Sequence, residues 1–254
     1  MTATLLQPRD IPDLDALRIL IIIPSFNEED AVGGVIAEVR TMLPNAVALV
    51  IDDGSRDRTA EVARAAGARV VQMPFNVGIG TAVQTGFKVA AAEDFDVAVQ
   101  VDGDGQHPPR EVRRLLEALL AQDANYVIGS RFTPTGSYQP PWARRGGITL
   151  FAKLVSLLIR QKLTDSTSGL RAADRRTVRL FADHYPHDYP EVEAIVLAKR
   201  GRLKIVEVPV EMRYRDTGRS SITPIRSLYY MVKVTLAVLV QFMGRNPLDE
   251  EAVS

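Results

Sequence analysis

Short apolar runs rich in β-branched residues recur along the first half of the chain: residues 18–24 (RILIIIP), 46–52 (AVALVID), 68–73 (ARVVQM), 95–102 (FDVAVQVD) and 125–131 (NYVIGSR). Each is closed by proline, glycine or polar residues, and the pattern predicts buried parallel strands. Helical periodicity fills the gaps. Asn27 followed by Glu28, Glu29 and Asp30 predicts an N-cap with an acidic first turn. Residues 57–67 (DRTAEVARAAG) predict a helix that starts on Asp57 and stops at Gly67, and residues 108–122 (PPREVRRLLEALLAQ) one with proline in its first turn. Strict alternation of strand and helix implies right-handed crossovers and an α/β fold with a doubly wound, mostly parallel central sheet.

The rhythm changes after Arg131. A Pro-, Gly- and Arg-containing loop (132–147) leads to an apolar helix (148–159), a helix over 191–199, a strand over 203–212, a basic loop RYRDTGRSS (213–221) and a final apolar helix (227–243). That last segment is charged only at Lys233 and falls short of the roughly 20 residues that span a bilayer. It is read as a core helix, a homo-oligomer interface or a helix lying on a membrane surface.

Composition narrows the function. The 254 residues balance 31 Lys+Arg against 31 Asp+Glu, so no global field gathers nucleic acid. Without cysteine there are no disulfides, thiol nucleophiles or thiolate zinc sites. The N-terminal segment lacks a basic start followed by an apolar run, which gives a cytoplasmic expectation.

In an open α/β sheet, ligands collect beyond the carboxyl ends of the strands. Three loops there carry acids: PSFNEED supplies Glu28, DDGSRDRT supplies Asp52, Asp53 and Asp57, and DGDGQH supplies Asp102, Asp104 and Gln106. In an extended segment the i, i+2 spacing of Asp102 and Asp104 aims both carboxylates to one side, and Gln106 repeats it. Gly103 and Gly105 let the backbone bend closely, and the three oxygen ligands form an incomplete shell for a hard cation. His107, next to two prolines, is read as a hydrogen-bonding or packing residue ahead of a ligand. In NVGIGTAVQTG the third glycine of a dinucleotide fingerprint is replaced by Val83, so Gly78 and Gly80 are read as a tight turn approached by a nucleotide.

These motifs in this order, IIIPSFNEE, VIDDGSRDRT, NVGIGTAVQTGF, VDGDGQHPP, IGSRF and SGLRAADR, resemble the family 2 glycosyltransferases, and within them the dolichyl- and polyprenyl-phosphate sugar synthases. The resemblance implies the GT-A fold over residues 18–243, with a nucleotide-sugar half (18–131) and an acceptor half (132–243), flanked by an extension (1–17) and a tail (244–254). It implies that Pro24, Phe26, Glu28 and Asp53 hold the nucleoside, joined by Asn76, Gly78, Asp102 and Gly103. Asp102, Asp104 and Gln106 hold Mg²⁺ or Mn²⁺ on the donor diphosphate. Arg131 meets an acceptor phosphate with Arg144 and Arg145 as helpers, while Arg213, Arg219 and Ser220 cover the donor phosphates. A planar guanidinium suits both tasks.

Two acceptors follow. A polyprenyl phosphate at the cytoplasmic membrane face is already ionised and needs no base. A sugar hydroxyl of a growing glycan needs one, and Glu191 or Glu193 is placed to serve. A nucleotidyltransferase, which would release pyrophosphate from a triphosphate, and a non-catalytic sugar-nucleotide module, which would have lost metal ligands, are the readings from other classes.

Overall fold

The computed structural model describes residues 14–132, 152–153, 155–213, 233 and 236. Its first half follows the alternation read from the sequence. Strands β1 (Ile19–Ser25), β2 (Val47–Asp52), β3 (Arg69–Gln72), β4 (Val97–Gln100) and β5 (Tyr126–Ser130) are separated by helices α1 (Val32–Met42), α2 (Thr59–Ala65), α3 (Ile79–Ala92) and α4 (Arg110–Ala121). The second half adds β6 (Arg171–Asp174), α5 (Arg175–His184), α6 (Pro190–Arg200) and β7 (Ile205–Pro209).

The seven strands form one sheet in the order β3-β2-β1-β4-β6-β5-β7. β1 pairs in parallel with β2 and β4, and β5 with β7, whereas β6 runs antiparallel to both β4 and β5. The period of two in β1 explains its burial on both faces. Leu20 and Ile22 enter one core with Ala82, Val83 and Phe87 of α3 and Phe181 of α5, while Ile19, Ile21 and Ile23 enter the other with Val35 and Ile36 of α1 and Leu115 of α4. A strand covered on both sides has no polar alternation to show, which is why it reads as a continuous apolar run.

Two local expectations are corrected, and one strand appears that the sequence reading did not assign. α1 does not start at Asn27: its N-cap is Ala31, and Asn27 lies in the left-handed region at φ 55°. The Asn27 side chain instead accepts the Arg56 N–H at 2.9 Å, and the Glu28 N–H donates to Thr59 Oγ1 at 2.8 Å, so the two strand-end loops are stitched together. Asp57 stands two residues ahead of α2, its carboxylate accepting from the N–H groups of Thr59 and Glu29. RAAD (171–174) is a strand that β-propensity does not flag, since it holds two alanines between charged residues. It forms because the antiparallel ladder with β4 and β5 supplies its hydrogen bonds, and Asp174 then caps α5 by accepting the Thr177 N–H at 2.8 Å. The expected final helix (227–243), apart from residues 233 and 236, lies outside the described residues. Among the described residues, no helix is long and apolar enough to cross a membrane.

Candidate active site

The carboxyl ends of β1, β2 and β4 open onto a cleft of about 350 Å³. It is lined by Pro24, Phe26, Glu28 and Asp53, by Asp102, Gly103 and Asp104, and by Asn76 and Gly78. The nucleotide set expected from the sequence therefore shares a single cavity, to which the structure adds Ser25, Ile79 and Ala82.

Asp53 is nearly buried, and both its carboxylate oxygens are engaged: it accepts the Val77 N–H at 2.7 Å and the Gly78 N–H at 3.0 Å. Gly78 is the N-cap of α3 and has φ 91°, a conformation that a side chain would strain. Asp53 thus shapes the end of the cleft as well as lining it. Gly80 has a different reason from the one read in the sequence: its Cα faces the backbone of Pro186 and His187, within 2.6 Å of where a Cβ would stand. The close approach is to the α5–α6 connection. Phe26 and Ile79 each keep 43% of their surface exposed, leaving apolar faces at the mouth of the cleft.

Asp102 and Asp104 reach the cleft through a turn, where the sequence reading had an extended segment. The Asp104 carboxylate accepts the Gln106 N–H at 3.0 Å, and Gly105 turns the chain at φ 76°. Asp102 Oδ1 is buried and has no hydrogen-bond partner among the described residues, while its Oδ2 lies 3.3 Å from Nδ1 of the buried His107. His107 therefore braces Asp102 from beneath. Gln106 is not among the residues lining the cleft, and its carbonyl accepts the Arg213 N–H.

Arg131, at the end of β5, is held by a residue the sequence reading passed over. Its guanidinium grips the fully buried Asp165 with two bonds of 2.6 and 2.7 Å and donates a third, 2.7 Å, to Thr167. Asp165 in turn hangs from Glu207, which accepts the Thr164 and Asp165 N–H groups. Burial pushes the Glu207 carboxyl above its usual range, against those bonds.

Next to this network lies Arg171 of β6, 2% exposed. It donates to Tyr126 Oη at 2.8 Å and to the carbonyls of Ser168 and Ser166 at 2.6 and 3.2 Å, and among the described residues it forms no ion pair with a carboxylate. Burial raises the Glu191 carboxyl above its usual range; Arg171 opposes this, and the Asp102 charge adds to it. Glu191 therefore sits within electrostatic reach of the cleft. Burial also raises Glu193, but its carboxylate accepts the Tyr189 N–H at 3.2 Å and so closes the first turn of α6. Arg213 forms a surface pair with Glu38 of α1 at 2.8 Å. Arg144, Arg145, Arg219 and Ser220 lie outside the described residues.

A mostly parallel sheet with one reversed strand, and acid-bearing strand-end loops that line one cleft, define a glycosyltransferase of the GT-A type. Residues 20–181 match the model of the family described as glycosyl transferase family 2, and the chain belongs to that family. It is 32% identical over 217 residues to undecaprenyl-phosphate mannosyltransferase of Micrococcus luteus, covering 82% of this chain and 88% of that protein. It is 32% identical to polyprenol monophosphomannose synthase of Mycolicibacterium smegmatis, covering 81% of each. Among solved structures, glucosyl-3-phosphoglycerate synthase from Mycobacterium tuberculosis in complex with Mn²⁺, uridine diphosphate and glucosyl-3-phosphoglycerate superposes with a TM-score of 0.67 at 23% identity, over 89% of this chain and 80% of that one. That likeness shows the shared fold.

Proposed function

We propose that the protein transfers a sugar from a nucleoside diphosphate sugar to a polyprenyl phosphate, with inversion at the anomeric carbon. The observation that carries the proposal is the cleft itself, which Phe26, Glu28 and Asp53 line together with Asp102 and Asp104. The apolar faces of Phe26 and Ile79 suit a base, and the acceptor-only carboxylate of Asp53 suits one with an N–H at its pairing edge, as uracil, thymine and guanine have. The relatives named for polyprenyl and undecaprenyl phosphate support the acceptor.

Mg²⁺ or Mn²⁺ fits the carboxylates present, because Asp102 Oδ1 is a buried acceptor with no partner among the described residues and Asp104 lines the same cleft. Among the described residues, no group of three or more His, Cys, Asp or Glu forms a complete site, so donor phosphates and water would complete the shell. Such an ion supplies charge stabilisation to the departing diphosphate. The protein's own part is to fix the nucleoside, hold the two carboxylates by way of His107 and the 102–106 turn, and present Arg131 to the acceptor phosphate. A phosphate oxygen attacks the anomeric carbon, its bond to the diphosphate oxygen breaks, and the nucleoside diphosphate leaves. The attacking oxygen is already anionic, so no proton has to be removed.

Transfer to a glycan hydroxyl is the second reading, favoured by one observation: Glu191 is a buried carboxylate, raised above its usual range by that burial and within electrostatic reach of Asp102. Glu193 is less suited, since its carboxylate caps α6. The test is a product assay with sugar nucleotides, comparing polyprenyl phosphate with soluble glycans. Lipid-linked sugar and free nucleoside diphosphate are expected. Transfer only to hydroxyl acceptors, with Glu191→Gln inactive, would select the second reading. Association with the cytoplasmic membrane face belongs to the same proposal, and pelleting with vesicles tests it.

A further inference from the structure

A second cavity, of about 490 Å³, opens at the opposite edge of the sheet from the cleft. Asp174 on its rim pairs with Val97, where β4 begins, whereas Asp102 follows the end of β4. The two cavities share no lining residue. The second is built on one face of α5, where Arg175, Arg179 and Asp183 form one i, i+4 ridge and Arg176, Leu180 and His184 the next, closed by Gly201 and Leu203.

The hydrogen-bonding inventory of this cavity is lopsided. Arg175 is neutralised by Asp94 and Asp96, and the Asp174 carboxylate is used by Thr177 and Asn125. Arg176 has no carboxylate partner among the described residues and donates only to the Gly201 carbonyl, at 3.2 Å. Arg179 is exposed and makes no ion pair or hydrogen bond among the described residues, although Asp183 lies one turn away. His184 Nε2 is buried and has no hydrogen-bond partner among the described residues. Against these groups stands a single uncommitted carboxylate, that of Asp183. The Gly201 and Leu203 N–H groups add no further donors, since they are bonded within their own turn.

Two arginines and a histidine lining one concavity complement a tetrahedral, acceptor-rich anion. We propose that this cavity binds a phosphate-bearing anion through Arg176, Arg179 and His184. The ligand is a soluble phosphate compound or a phospholipid head group, which share this chemistry. The site does not depend on the reading of the catalytic cleft.

The test is calorimetric titration of inorganic phosphate into the full chain in the presence of chelator. Saturable binding is expected, and it should weaken about tenfold or more in the Arg176→Ala/Arg179→Ala double variant, the scale of lost charge-assisted hydrogen bonds. It should be unchanged in Asp104→Asn. Arg179→Ala alone should melt as the parent does, because Arg179 holds no partner. In parallel, the parent and the double variant are pelleted with phosphatidylcholine vesicles with and without phosphatidylglycerol. Phosphate binding that the double variant loses, without pelleting, assigns a soluble ligand; pelleting on anionic vesicles that the double variant loses assigns a head group. The proposal is overturned if the double variant matches the parent in both measurements, if neither protein binds in either, or if phosphate binding is lost in Asp104→Asn instead.

Discussion

Gly169 stands against the carboxylate of Asp102 so closely that a Cβ at position 169 would lie 2.6 Å from Oδ2 and 2.8 Å from Oδ1. Arg171 holds this approach in place by bonding the carbonyls of Ser166 and Ser168, just ahead of Gly169 in the chain. The SGLR stretch therefore forms a backstop for an acid that faces the cleft.

Gly169→Ala is expected to push the Asp102 carboxylate out of position while leaving both cores untouched. Nucleoside diphosphate affinity in the presence of Mn²⁺ should fall about tenfold or more, as expected for a displaced charged ligand group. Affinity in chelator should hardly change. Calorimetry with and without the ion reads both, and equal losses in the two conditions would contradict the backstop.

Asp53→Asn replaces two acceptor oxygens with one, so either the Val77 or the Gly78 N–H loses its partner. The loss of one charged hydrogen bond is worth roughly 1.5–3 kcal/mol. Donor binding should weaken, and amide exchange at Val77 and Gly78 should quicken before any global change in melting. Unaltered exchange at both amides would count against this role.

Arg131→Ala strands the buried carboxylate of Asp165, and breaking such a pair from one side costs roughly 3–5 kcal/mol. The single variant should therefore lose stability as well as activity. The double variant Arg131→Ala/Asp165→Asn should recover much of the stability and none of the acceptor affinity. A double-mutant cycle of melting and acceptor KM separates the two effects. Recovery of acceptor KM in the double variant would show that Arg131 acts only through Asp165.

Glu191 provides a pH test whose sign is fixed by burial. Its folded-state pKa is raised above the ordinary carboxyl value of 4.5, so the neutral form is the one favoured by folding. The stability it contributes is fully present below that value and is lost as pH rises through the folded-state pKa. Glu191→Gln, neutral throughout, should flatten this part of the stability profile and be at least as stable as the parent at neutral pH. With a phosphate acceptor it should also keep most of its transfer rate. A steep loss of transfer with donor affinity preserved would favour the hydroxyl acceptor.

The sequence by itself determined the alternating α/β half, because strands buried on both faces must be apolar throughout and helices between them must repeat every three to four residues. It also marked Asp102 and Asp104, Glu28 and Asp53, since acids beyond strand ends stand out against the apolar runs. Only the tertiary structure decided what holds them. β6 has no β-branched residue between its charged ends and becomes a strand only because β4 and β5 offer it hydrogen bonds. Asp165 reaches Arg131 from 34 residues away, and Gly169 meets Asp102 because β6 runs antiparallel beside β4; neither spacing leaves a local trace. Asn27 shows the same limit at short range. A polar residue before a helical run can cap its own helix or bond a neighbouring loop, and the choice belongs to the loop that β2 brings beside it. Periodicity is a property of one segment, whereas a site is made of contacts between segments.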